Sequence, residues 1–173
     1  MRENPEKGLV MFKIGDVLSY RATGVCRVED IREETLTGEK KTYYILKPLL
    51  RNSSTIYVPM DNEFLCGRMT TLLSKTVAAE ILERSRADAA AWVEDAKARQ
   101  AAFSAVISGG DRAAIANVVR LLSHHKREVA AVGRKFYASD ERLLNTAMNA
   151  IAGELAYVLE RDEKEVVTAL CEE

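Results

Sequence analysis

At 173 residues, 47% hydrophobic and with a net charge of −1, the chain can build one modest domain or two small ones, and it is too close to neutral for a generic nucleic-acid binder. No apolar run approaches bilayer length and no charged-then-apolar leader precedes a cleavage site, so a cytoplasmic protein with no membrane partner is expected. Three widely spaced cysteines, Cys26, Cys66 and Cys171, and two histidines, His124 and His125, offer neither a disulfide framework nor zinc-ligand spacing, so no metal and no cofactor are expected.

Residues 1–11 (MRENPEKGLVM) are polar and lack periodicity, and read as a loose leader. From Phe12 the chain turns to short β runs. VLSY (17–20) follows the Gly15–Asp16 turn signal, and VCRVEDI (25–31) follows Gly24 with near-alternation of apolar and polar residues. Gly38 marks a bend before TYYILK (42–47), which Pro48 closes; TIYV (55–58) then runs to Pro59, an edge or end signal. Four strands joined this tightly bury both sheet faces only if the sheet curls, which predicts a small SH3-like or Tudor-like β-barrel over 12–73.

CGRMTTLLS reads as a linker, and near Leu73 the character changes to Ala-, Leu- and Arg-rich helical pattern. Ser74 or Thr76 is placed to cap a helix carrying Val77, Ile81 and Leu82. A second helix is expected from Ala89–Ala90, including Trp92, Arg99 and Phe103 and ending before Gly109–Gly110. Asp111 is a good N-cap for a third, with Ile115, Val118, Val119 and Leu122 on one stripe. Asp140 is expected to begin a long helix with Leu144, Met148, Ile151, Leu155 and Val158 in register, and a final short helix bears Val166, Val167 and Leu170. None of these helices buries its stripe alone, so 74–173 is expected to form a helical bundle and the whole an α+β chain.

The predicted barrel has an edge strand able to recruit a partner strand, with Tyr43, Ile45, Ile56 and Tyr57 as the candidate surface; the same residues also fit a core or half-buried sheet role. In the bundle, residues 112–135 hold Arg112, Arg120, Lys126, Arg127, Arg134 and Lys135 against Glu128 alone, whereas from 154 onward the balance is acidic. Arg120, Lys126 and Arg127 are spaced to approach one side of a helix, where they would contact phosphate without reading bases; a solvated helix face explains the same residues. Trp92 has two readings, packing in the core or against a neighbouring domain, or an exposed ring that stacks or wedges at distorted DNA. Glu94 and Asp95 follow it directly, and the nearest cations beyond are Lys97 and Arg99. No phosphate-cradling loop, dinucleotide fingerprint or nucleophilic constellation is present, so the chain is not expected to be an enzyme.

The ordered combination MFKIGDVLSY, TGVCRVEDI, Gly38 with EKKTYYILK, TIYVPMDN, Trp92, SGGDRAAIANVVRLL and GELAYVLE resembles the CarD/CdnL family of bacterial transcription regulators, from Met11 to the C-terminus. The resemblance implies a Tudor-like domain that binds the bacterial RNA polymerase β subunit and a helical domain at promoter DNA near the upstream edge of the bubble, together stabilising the open complex. Carried onto this chain, it implies polymerase contacts at Tyr43, Ile45, Lys47, Thr55 and Tyr57. It likens Trp92 to the family's minor-groove wedge; with it, Lys97, Arg99, Arg120, Lys126 and Arg127 are the candidate DNA-contacting residues of the helical domain. Two features depart from the pattern: Glu34 and Tyr57 stand where some relatives carry arginine, and the stretch from Trp92 to Asp111 is longer and lacks a basic run. A monomer is favoured. The rival expectation is a protein–protein adaptor whose helical domain docks another protein and never touches DNA.

Overall fold

Alternating apolar residues carry the first part of the chain into strands, and residues 2–3, 10–20, 23–36, 38–50, 54–83 and 92–172 are described by the computed structural model. Two compact units result, Met1–Leu72 and Leu73–Glu173. In the leader, β1 (Arg2–Glu3) pairs antiparallel with β2 (Val10–Met11); residues 1 and 4–9 lie outside the described residues.

The main sheet has five antiparallel strands in the order β6-β5-β4-β3-β7: β3 (Val17–Tyr20), β4 (Gly24–Glu34), β5 (Lys41–Pro48), β6 (Ile56–Pro59) and β7 (Met69–Thr71). Period-two alternation puts Cys26, Val28, Tyr44, Leu46 and Val58 on one face with Leu18, Phe12 and Met69, and that face is the core of the unit. The register slips between Val28 and Asp30, inserting Glu29, so that Ile31 returns to the core side opposite Tyr44 and Asp30 and Arg32 fall to the other side opposite Ile45 and Tyr43.

The expected linker is a correction. Its residues hold part of the short helix α1 (Glu63–Cys66), capped by the Asn62 side chain accepting from Leu65 N at 3.0 Å, and the whole of β7, which pairs with β3 and supplies a fifth strand. Met69 is the one strongly apolar residue in β7, too little signal to read as a strand without β3 beside it.

The second unit contains α2 (Lys75–Glu83), α3 (Ala96–Gly109), α4 (Arg112–Ala131), α5 (Ala138–Leu159) and α6 (Glu163–Cys171). Ser74 Oγ accepts from Val77 N, and Asp111 accepts from Ala114 N at 3.1 Å, as N-caps do. The second expected helix begins later than its sequence pattern suggests. Residues 84–91 lie outside the described residues, Trp92 to Asp95 are not helical, and the Asp95 carboxylate caps the start of α3 by accepting from Ala98 N at 2.7 Å. Gly110, at φ 81°, ends α3 in the left-handed conformation that glycine adopts without strain.

α5 is the central helix, packed against α2, α3, α4 and α6. Every residue from Ile151 to Ala156 is buried, and the small Ala147, Ala152, Gly153 and Ala156 let neighbouring helices approach closely. Ile115, Val118, Val119 and Leu122 of α4 and Val166 and Leu170 of α6 complete the core. Each large apolar side chain so buried contributes about 1.5–3 kcal/mol. Inside it, the Glu154 carboxylate accepts from Leu73 N (3.0 Å) and from Arg112 (3.2 and 3.4 Å), tying the chain entry and the start of α4 to α5. No helix among the described residues is long and apolar enough to cross a membrane.

Candidate docking edge and nucleic-acid interface

In the sheet unit, β5 lies between β4 and β6, so its ladder hydrogen bonds are already made on both sides. Tyr43 and Ile45, expected to contact a partner, are 4% and 3% exposed, so neither offers side-chain surface. Lys47 and Thr55 are exposed and Tyr57 is 38% exposed, its ring edge-to-face with Tyr43 at 6.3 Å between centroids. The available edge on this side is therefore β6, with Tyr57 as its projecting aromatic; Thr55 lies just before the strand. The cations nearby are already balanced: Arg32 pairs with Glu34 (2.7 Å) and Asp30 (3.2 Å), Lys41 with Asp61 (3.0 Å) and Lys47 with Glu29 (3.5 Å). The hydrogen bond to Asp61 holds the Lys41 ammonium above the ordinary lysine range. Glu34 thus neutralises its own strand neighbour rather than leaving a bare negative charge on the face.

In the helical unit the expected DNA residues separate into two groups. Arg120, placed by its spacing with Lys126 and Arg127, is buried; its guanidinium donates to Ile81 O and Leu82 O in the last described turn of α2 and to Asn117 Oδ1. Arg99 is 2% exposed and donates to both carboxylate oxygens of Asp140 (3.2 and 2.7 Å) and to the carbonyls of Val93 and Glu94 (2.7 and 3.0 Å). Both side chains are corrections to the expected phosphate surface, because their N–H groups are spent on internal acceptors and reaching phosphate would strip those acceptors bare. Asp140 is a correction too: α5 starts two residues before it, at Ala138, and its carboxylate is fully buried against Arg99.

Lys97, Lys126 and Arg127 remain on the surface. Lys126 pairs with Glu141 at 2.9 Å, and Arg127 donates to the carbonyl of Cys171. Beyond them, Gly133 (φ 69°) turns the chain after α4 into Arg134 and Lys135, both exposed and, among the described residues, without an ion pair. The exposed Tyr137 and half-buried Phe136 follow.

Trp92 sits half-buried at the centre of a packed cluster. Its ring lies 4.1 Å from that of His125 at 30°, meets Phe103 edge-on at 6.3 Å, and has the Arg99 guanidinium 4.4 Å from its centroid. Phe136 approaches His125 at 6.2 Å and Lys126 Nζ at 5.8 Å, which brings the 133–137 connection next to the tryptophan cluster. His124 and His125 both face Glu128, at 3.4 and 3.6 Å. Sequence reading missed the pairing of Asp140 with Arg99, the place of Phe136 and the weight of Arg134 and Lys135. The glycine-then-basic-then-aromatic string GRKFY was the available signal for that turn.

An antiparallel sheet unit whose residues 12–70 match the family model described as CarD-like/TRCF RID domain, joined to a helical unit, defines an RNA polymerase-interacting transcription regulator. Residues 78–171 match the model described as CarD, C-terminal domain, and the chain belongs to the CarD/CdnL family.

Proposed function

We propose that the sheet unit docks on the polymerase β subunit through the β6 edge, with Tyr57, Thr55 and Lys47 at its border, while the helical unit contacts promoter DNA at the upstream edge of the bubble and stabilises the open complex. The observation that carries the DNA half of this reading is the half-exposed indole of Trp92 held beside a turn with two exposed cations, Arg134 and Lys135, that have no ion pair among the described residues. Lys97, Lys126 and Arg127 extend the positive surface, and Arg99 and Arg120 are not part of it. Phosphate contacts of this kind position the protein without choosing a sequence, and the indole supplies a flat apolar group for an unstacked step.

No covalent chemistry is required. Binding the open complex more tightly than the closed one shifts melting by that difference alone, and about 1.4 kcal/mol moves the equilibrium tenfold. Docking on polymerase raises the local concentration of the helical unit at DNA, so weak contacts suffice despite a net charge of −1. The reading makes the protein a cytoplasmic, non-enzymatic monomer. Open-complex lifetime on a weak promoter, measured with purified bacterial polymerase with and without the protein, tests it. A longer lifetime that is lost in Trp92→Ala supports the reading; polymerase binding with an unchanged lifetime would leave an adaptor in its place.

A further inference from the structure

We propose that the buried Arg99–Asp140 pair is a positioning device for Trp92, fixing the indole on the surface of the helical unit before it meets its partner. This rests on the DNA-contact reading of Trp92 and names residues that act through it.

The geometry separates this role from plain stabilisation. Asp140 is 0% exposed and takes two donors of the guanidinium, Nε and Nη2, which orients the flat group. The remaining donor, Nη1, goes to the carbonyls of Val93 and Glu94, the two residues after Trp92. That segment has no helical hydrogen bonds of its own, since α3 begins at Ala96. The guanidinium itself lies 4.4 Å from the indole centroid, within cation–π range. One arginine therefore holds both the backbone that carries the tryptophan and the ring, and α5 holds the arginine. His125 of α4, stacked at 4.1 Å, and Phe103 of α3, at 6.3 Å, restrict the ring further.

A buried ion pair is an inefficient way to stabilise a bundle, because apolar groups of similar volume do as well or better. What apolar groups lack is the planar fork that reaches a carboxylate, two carbonyls and a ring face at once. An indole held in place also avoids the ordering cost that a mobile side chain meets on binding.

The test uses the 173-residue chain and three variants. Arg99→Met/Asp140→Leu replaces the pair by apolar groups, Arg99→Lys keeps the charge opposite Asp140 but loses the fork, and Trp92→Ala shows the effect of losing the indole. Trp92 is the sole tryptophan, so acrylamide quenching of its emission reads the ring directly, and thermal melts report the fold. Both pair variants are expected to melt cooperatively with stronger quenching than wild type and to lose the extension of open-complex lifetime, the double variant as fully as Trp92→Ala. A folded double variant with wild-type quenching and lifetime would overturn the proposal. Should the double variant not fold, Arg99→Lys decides on the same readouts, and failure of both to fold assigns the pair to stability alone and rejects the positioning role. If wild-type protein leaves the lifetime unchanged, the transcriptional reading fails while quenching still decides the device.

Discussion

Replacing Arg134 and Lys135 together by alanine removes two exposed cations that have no ion-pair partner among the described residues. Nothing packed depends on their charged ends, so stability should change by no more than about 0.5 kcal/mol. Removing one cation–phosphate interaction flattens the dependence of log K on log salt by about 0.9 on duplex DNA, so removing two flattens it by about 1.8. Between about 50 and 200 mM salt, wild-type affinity should then fall about 12-fold further than that of the double variant. Fluorescence anisotropy with a labelled, partly melted duplex across that salt range measures both slopes. Arg120→Met is the matched control. It removes donors from Ile81 O and Leu82 O inside the bundle, and with those carbonyls bare the loss of stability should be about 2–4 kcal/mol. In the fraction that remains folded, the salt slope should be that of wild type. Equal slopes for wild type and Arg134→Ala/Lys135→Ala would refute the placement of the phosphate contacts at this turn, and a flattened slope for Arg120→Met would refute the division of the arginines by burial.

Tyr57→Ala should weaken capture of the polymerase β subunit by about 1–2 kcal/mol, the range for a projecting aromatic at a docking edge, with a thermal melt to confirm that losing the edge-to-face contact with Tyr43 leaves the sheet folded; a titration of immobilised β subunit checks it, and unchanged affinity would place the docking surface elsewhere. Burial pushes the Cys26 thiol up to about 11, so it should stay unreactive to a thiol reagent at about pH 8 in the folded protein while the unfolded chain reacts. The sign for stability follows from the same shift. The protonated thiol is kept in the fold, the unfolded chain ionises first, and about 2–3 kcal/mol should be lost as pH rises from about 9 through about 11, over and above the loss in the profile of Cys26→Ala, where burial still raises Tyr20, Tyr44 and Cys66.

Helical and strand periods were legible because one face of each element had to be apolar. VLSY is a strand over the residues expected, and Ile115, Val118, Val119 and Leu122 form the buried stripe of α4. The caps at Asp111 and at Ser74, one of the two residues expected for the first helix, were legible for a similar reason, since a side-chain oxygen satisfies N–H groups only a few residues away. Short pieces without a period were not. β7 exists because β3 pairs with it, and the start of α3 was obscured by an alanine run with high helix propensity on the wrong side of Trp92.

The sequence by itself determined the order of a β unit and a helical unit, the apolar stripes except at Val77, which is 40% exposed while Ala78 is buried, and the family resemblance that the matches over 12–70 and 78–171 bear out. Only the tertiary structure decided which charges face water. Arg99, Arg120, Arg134 and Lys135 are alike in charge, yet two are buried against carbonyls and a carboxylate supplied from other helices and two project from a turn. A periodicity records which face of a helix is apolar; it carries no record of an acceptor tens of residues away. Asp140 is 41 residues from Arg99, and it is that long-range pairing which takes Arg99 off the surface and places it against Trp92.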